Sequence, residues 1–266
     1  MTGTLPTIYD LEQPRTQGMP IHPSHRRVGF TYLLHRQHKN TPGDARSGAS
    51  GTIITSEHAG THIDALSHQA LDHTLNGGIR VTPENETPYG FTVHGIEEVA
   101  PIVTRGVMLD VAGSKGVNVL PERYRITIED LEACCREQSV EVPEGGAVLV
   151  RTGYGGLWDR PTEYDRAAGV SVEATEWLIA KKASVVGADN ISWEVDDGKT
   201  HPNTGTTLPC HVLLLVKNGV YIIENMNLER LAHERTHAFL FICSPLKIVG
   251  ATGSPVRPIA ATDLPL

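Results

Sequence analysis

Four segments are nearly unbroken in apolar residues: GVMLDV at 106–111, GAVLVRT at 146–152, ASVVGAD at 183–189 and AFLFICSPLKIVG at 238–250. They lack the alternation of a half-exposed strand, so they predict strands buried on both faces. GTIITSE at 51–57 is rich in β-branched residues and predicts a further strand, one that runs into a histidine-rich stretch. Two segments read as helices. TIEDLEACCREQ opens with Thr127 as N-cap and Asp130 three residues on, a capping box. SVEATEWLIAKKA starts at Ser171, carries Glu173 and Glu176 early and ends in Lys181 and Lys182, which matches the helix dipole. In CHVLLLVKNGVYIIENM, Asn218-Gly219 suits either a hairpin turn or a helix end. The preferred reading is a helix through Lys217, closed by Gly219, then a strand over 220–224. Residues 13–50 are polar and punctuated by Pro and Gly, which predicts an extended arm or loop. Strands with helices between them predict an α/β fold.

Composition narrows the class. At 266 residues the chain fits one large domain or two small ones and can bury a substantial core. A net charge of −8 argues against nucleic-acid or anionic-membrane partners, which need a basic patch. No apolar run approaches the roughly 20 residues needed to span a bilayer. MTGTLPTIYDLEQPRTQGMP shows no secretory pattern, so a cytoplasmic location is expected. Cys134, Cys135, Cys210 and Cys243 form no C-x-x-C, and reduced thiols are expected rather than disulfides or a thiolate zinc site.

The chemistry concentrates in SEHAGTHIDALSH, residues 56–68. His58, His62 and Asp64 supply imidazole and carboxylate donors suited to a divalent metal, and Gly60 permits a tight loop around an ion. His68 is near enough to approach the same centre without being a ligand. His73, in LDHTLNGG, reads as a solvated or supporting histidine. No H-E-x-x-H or G-x-S-x-G occurs, and GYGG at 153–156 matches no phosphate loop. That stretch reads as a turn leading to Trp158.

HAGTHIDALSH resembles the H-x-G-T-H-x-D-x-P-x-H signature of the metal-dependent cyclase family, which includes bacterial kynurenine formamidases and isatin hydrolases. His58, Gly60, Thr61, His62, Asp64 and His68 match in register, and Leu66 stands where the family usually has proline. YDLEQPRTQGMP, VLVRTGY, VVGADNISWE, HVLLLVKNGVYIIEN and GATGSPVRPIA extend the similarity over essentially the whole chain. The resemblance implies a swivelling β/β/α-type single domain over 1–266, with an N-terminal arm over 1–50 and a core over 51–266. It implies that His58, His62 and Asp64 bind zinc or manganese, and that His211 and Glu224 hold a second ion bridged by Asp64. Whether one ion or two are bound stays open. It also implies that His68 is the catalytic acid/base.

The expected reaction is metal-dependent hydrolysis of a carbon–nitrogen bond in an amide or cyclic amide. Trp158 and Trp193 are candidate walls for a planar small-molecule substrate, although no sequence feature places either ring there. The alternatives are a lactone hydrolase or cyclase/dehydratase on the same fold, or a non-catalytic metal or ligand binder. The polar arm could reach a neighbouring subunit, so a homodimer or homotetramer is expected.

Overall fold

The computed structural model describes residues 6–39, 42–202 and 204–263. The strands in chain order are β1 (Thr7–Asp10), β2 (Phe30–Arg36), β3 (Ser50–Thr55), β4 (His62–Asp64), β5 (Glu86–Thr87), β6 (Gly90–Phe91), β7 (Ile102–Asp110) and β8 (Arg125–Ile126). They continue with β9 (Ala147–Arg151), β10 (Gly169–Val170), β11 (Val185–Ala188), β12 (Tyr221–Glu224), β13 (Ala238–Cys243), β14 (Gly253–Pro255) and β15 (Ile259–Thr262). Nine of them form one sheet in the order β1-β15-β13-β7-β9-β11-β12-β4-β14. The central four, β7, β9, β11 and β12, are mutually parallel, and the flanking pairs are antiparallel. This is the mixed α/β architecture expected from the sequence.

The apolar runs become this centre because they are covered on both faces. Ala147, Val148, Leu149 and Val150 of β9 are all fully buried. Val148 and Val150 join one core cluster, while Ala147 and Leu149 join another on the opposite face. The first cluster takes in helices Ile128–Glu137 and Val172–Ala180 through Leu131, Cys134, Ala174 and Leu178. Thr127 and Asp130 form the expected capping box, and Ser171 caps the second helix through the Ala174 N–H. Residues 212–218 are wound as a π-helix that ends at Gly219, φ 64°, and β12 follows.

Three readings of the sequence change. β13 stops at Cys243, before the Pro245 ring, which cannot donate to a ladder. β3 belongs to a separate hairpin with β2, which leaves Tyr32, Leu33, Leu34, Ile53 and Ile54 exposed. The histidine stretch therefore begins after a turn and enters the main sheet as β4. Finally, residues 7–10 of the expected arm are the edge strand β1, held against β15 with Tyr9 buried.

Candidate metal centre

β4 is only three residues long, yet its pairing assembles the centre. His62 and Asp64 are two apart and share a face, while Ile63 points into the core and is fully buried. Antiparallel pairing with β12 sets His62 opposite Glu224, and pairing with β14 sets Asp64 opposite Gly253. The latter glycine is required by close approach, because a Cβ there would lie 2.6 Å from His58 Cε1. Gly60 is in the left-handed region, φ 67°, and its carbonyl accepts from His62 Nδ1 at 2.8 Å and Asn225 Nδ2 at 3.1 Å. Arg15 donates to the carbonyls of Ala59 and Thr61, and Thr61 Oγ1 donates to the Asn225 carbonyl at 2.6 Å. The turn is thus clamped from both sides.

Asp64 is the hub. Its Oδ1 lies 2.9 Å from His58 Nδ1 and 3.5 Å from His62 Nε2, and its Oδ2 lies 3.8 Å from His211 Nε2. Glu224 Oε2 is 3.5 Å from His62 Nε2, and Oε1 is 3.2 Å from His211 Nε2. Donor atoms all within 4.8 Å of one another define His58–His62–Asp64, Asp64–His68–His211 and His25–His58–His68. Glu224 meets these groups through His62 and His211. The structure therefore brings together all six residues singled out in the sequence. His73 lies apart and exposed, at φ 53°.

The imidazoles of His58, His62 and His211 each have one nitrogen occupied by a supporting group, which aims the other at the centre. Thr252 gives its hydroxyl proton to Glu57 and so accepts from His58 Nε2 at 2.9 Å, leaving His58 Nδ1 toward Asp64. His62 donates from Nδ1 to Gly60, leaving Nε2. His211 donates from Nδ1 to Glu194 Oε2 at 2.9 Å, leaving Nε2. Glu194 Oε1 also accepts the N–H groups of Cys210 and His211, at 3.0 and 3.2 Å. The residues present fit a divalent cation. Asp64 Oδ2 and Glu224 Oε1 are buried without a hydrogen-bond partner, and three imidazole nitrogens converge on the same carboxylates.

Burial drives His62 down to about 3, so it is neutral. Burial also opposes a proton on His58, but the hydrogen-bonded Asp64 outweighs it and the pKa is raised. For His211 the carboxylates of Glu194 and Glu224 overcome burial by a wide margin and raise it. Burial pushes Asp64 up, yet His68 and His58 beside it hold it below the usual carboxylate range. Glu224 is raised by burial to about 7. His68 is half-buried, its ring centroid 4.0 Å from that of His58, and burial followed by this neighbour holds it well below an ordinary histidine.

The structure adds residues that sequence reasoning missed. His25 stacks on His58 at 4.6 Å and 28°, and lies 6.0 Å from His68. Glu194, Thr252 and Arg15 support the ligand candidates as described above. The HPSH turn at 22–25 was the one local signal for His25. The two tryptophans are not walls of this centre. Trp193 is fully buried with its Nε1 bound to Thr175 Oγ1, and Trp158 packs edge-on against Tyr164 in the core.

The Cyclase family model matches residues 9–195. The chain belongs to the cyclase family. It is 25% identical to the kynurenine formamidase of Sphingopyxis alaskensis over 252 residues, covering 95% of this chain and 96% of that protein. A crystal structure described as a novel cyclase superposes with a TM-score of 0.83 at 27% identity, covering 97% of this chain and 87% of that one. Isatin hydrolase A from Ralstonia solanacearum shares the fold at a TM-score of 0.71 and 23% identity, over 96% and 92% of the two chains. In this cyclase-family chain the family motif is the clamped turn and β4, and Leu66 packs half-buried against the core.

Proposed function

We propose that this chain is a metal-dependent hydrolase that cleaves the carbon–nitrogen bond of an amide or cyclic amide. The observation that carries the reading is the buried convergence of His58, His62, Asp64, His211 and Glu224, with the half-buried His68 beside it. The formamidase relative supports the carbon–nitrogen assignment. A bound divalent ion would supply a Lewis acid for the carbonyl and bring the pKa of water toward neutrality. His58, His62 and Asp64 would hold that ion. His211 and Glu224, beside the second oxygen of Asp64, would hold a second ion.

His68 is the acid/base. Neither of its ring nitrogens is engaged in a hydrogen bond among the described residues, so both are free to exchange a proton. Burial and the neighbouring His58 keep it neutral, ready to take a proton from water at a ring nitrogen. The deprotonated water adds to the carbonyl carbon, and His68 returns the proton to nitrogen as the carbon–nitrogen bond breaks. The buried walls around His62 and Asp64 exclude bulk water from the carboxylates, which strengthens every charge interaction there.

The test is to load the metal-stripped protein with zinc or manganese and assay N-formyl aromatic amines, isatin and small lactones side by side. Hydrolysis of an amide or cyclic amide, abolished by chelation and restored by metal, is expected. Turnover that survives complete chelation, or lactone opening with no amide cleavage, would overturn the assignment.

A further inference from the structure

A third group of donors stands beside the two positions at Asp64. One ring nitrogen each of His25, His58 and His68 lie within 4.8 Å of one another. His58 is committed elsewhere, since its Nε2 donates to Thr252 and its Nδ1 lies 2.9 Å from Asp64 Oδ1. The other two rings are not. Among the described residues neither His25 nor His68 uses a ring nitrogen in a hydrogen bond, and both are half-buried, so solvent reaches them. His25 closes the short turn Pro23–His25, which a proline opens. Before it, His22 Nε2 lies 3.0 Å from Asp196 Oδ2. After it, Arg26 donates from Nε to the Ile21 carbonyl at 2.7 Å and pairs with Asp165. His68 donates its backbone N–H to the Ala65 carbonyl at 3.0 Å. The two rings are thus set in place, their centroids 6.0 Å apart.

Two imidazoles held this way form a bidentate nitrogen site. Ligands about 2.0–2.1 Å from one tetrahedral zinc ion stand about 3.3 Å apart, inside the 4.8 Å separation that this pair meets. Nitrogen donors without a carboxylate favour zinc over manganese, which prefers oxygen ligands. Each position at Asp64 draws on three side chains, a carboxylate among them, whereas His25 and His68 supply two nitrogens and leave the rest of the shell to water. The pair therefore fills after the Asp64 positions. Glu57, with Oε1 3.7 Å from His58 Nε2, puts a further carboxylate charge close by to offset the added cation.

We propose that His25 and His68 form a further zinc site that fills at excess metal and inhibits the centre by taking His68 out of proton transfer. The inhibition rests on the hydrolase reading above, and the site itself does not. Once one ring nitrogen of His68 holds zinc, the other carries the ring's proton and has no lone pair left. The imidazole then has nowhere to accept a proton from water.

Equilibrium dialysis followed by metal analysis counts the ions bound per chain as free zinc rises, for the parent, His25→Phe and His68→Ala. Phenylalanine keeps a ring to stack on His58 but has no nitrogen, which separates ligation from packing. Each variant is expected to bind one zinc ion fewer than the parent at saturation, and all three to bind equal numbers of manganese ions. Circular dichroism checks that the variants are folded. Turnover of an amide is followed in parallel, each protein referred to its own value at the metal level that fills the Asp64 positions. Excess zinc is expected to cut parent turnover to below about a tenth, since losing an acid/base group costs about 10²–10⁴. Excess zinc on His25→Phe, and excess manganese on either protein, are expected to leave turnover unreduced. Equal zinc counts in the parent and either folded variant overturn the site. A zinc loss matched by an equal manganese loss assigns the ion to the Asp64 positions and overturns it too. An extra zinc ion without loss of turnover overturns the inhibition. If no amide is turned over, the hydrolase reading fails, and the ion counts alone decide the site.

Discussion

Glu194→Gln isolates the support of a single ligand candidate. Glutamine keeps the size of the side chain, and its carbonyl oxygen can still accept the N–H groups of Cys210 and His211 now held by Oε1 at 3.0 and 3.2 Å. The change falls at Oε2, where an NH₂ group would stand 2.9 Å from His211 Nδ1. Donor then faces donor. The imidazole relieves this by moving its proton to Nε2, the nitrogen that faces Asp64 and Glu224, and a protonated Nε2 cannot ligate. Loss of such a supporting contact costs about 10–100-fold in metal affinity, or roughly 1.4–2.7 kcal/mol. One effect opposes this. Glu194 also raises the pKa of His211, so its removal weakens proton competition for the same nitrogen. That compensation grows as pH falls, so the net loss is expected to be larger near pH 8 than near pH 6. Competition of the metal-free protein with a chromophoric chelator for zinc gives the affinity, and thermal melting by circular dichroism checks the fold. A folded variant with affinity within about twofold of the parent at both pH values would refute the reasoning.

Metal binding should release protons, because His58 and His211 have raised pKa values in the metal-free protein and must bind as neutral rings. Affinity is therefore expected to rise with pH, while His62, lowered to about 3, adds no proton; calorimetry in buffers of different ionisation enthalpy counts them. His68→Ala should retain metal but lose about 10²–10⁴ in kcat, the usual range for an acid/base group, measured as turnover per bound ion. Gly253→Ala would drive a methyl group to 2.6 Å from His58 Cε1 and 2.9 Å from the Ile63 carbonyl. A weakened metal affinity is expected together with a lower melting temperature, the overpacking alone costing about 1–3 kcal/mol.

The centre of the sheet was legible because its signal is local: an uninterrupted apolar run such as AVLV at 147–150 needs two covered faces wherever it sits. The His58–Asp64 cluster was legible for the same reason, since its members are neighbours in the chain. His211 and Glu224 came through the family resemblance, and the structure shows why spacing could not find them. They reach His62 and Asp64 only once β4 pairs with β12. Glu194 lies in a loop without periodicity, and its role depends on the start of a helix 16 residues later. Trp193 was misread as a pocket wall because an aromatic beside a charged residue in a loop carries no mark of burial. Its ring turns inward while Glu194 turns to His211.

The brevity of β4 has a consequence for how this family can vary. Ile63 anchors the strand in the core while His62 and Asp64 flank it, so a one-residue slip or insertion would present the isoleucine to the centre and turn the two candidate ligands into the core. Length changes are excluded here on grounds of chemistry and packing at once. The exposed β2–β3 hairpin is under neither constraint. Sequence drift in length should therefore collect in the hairpin and spare the tripeptide His-Ile-Asp, even where other chemistry is substituted around it.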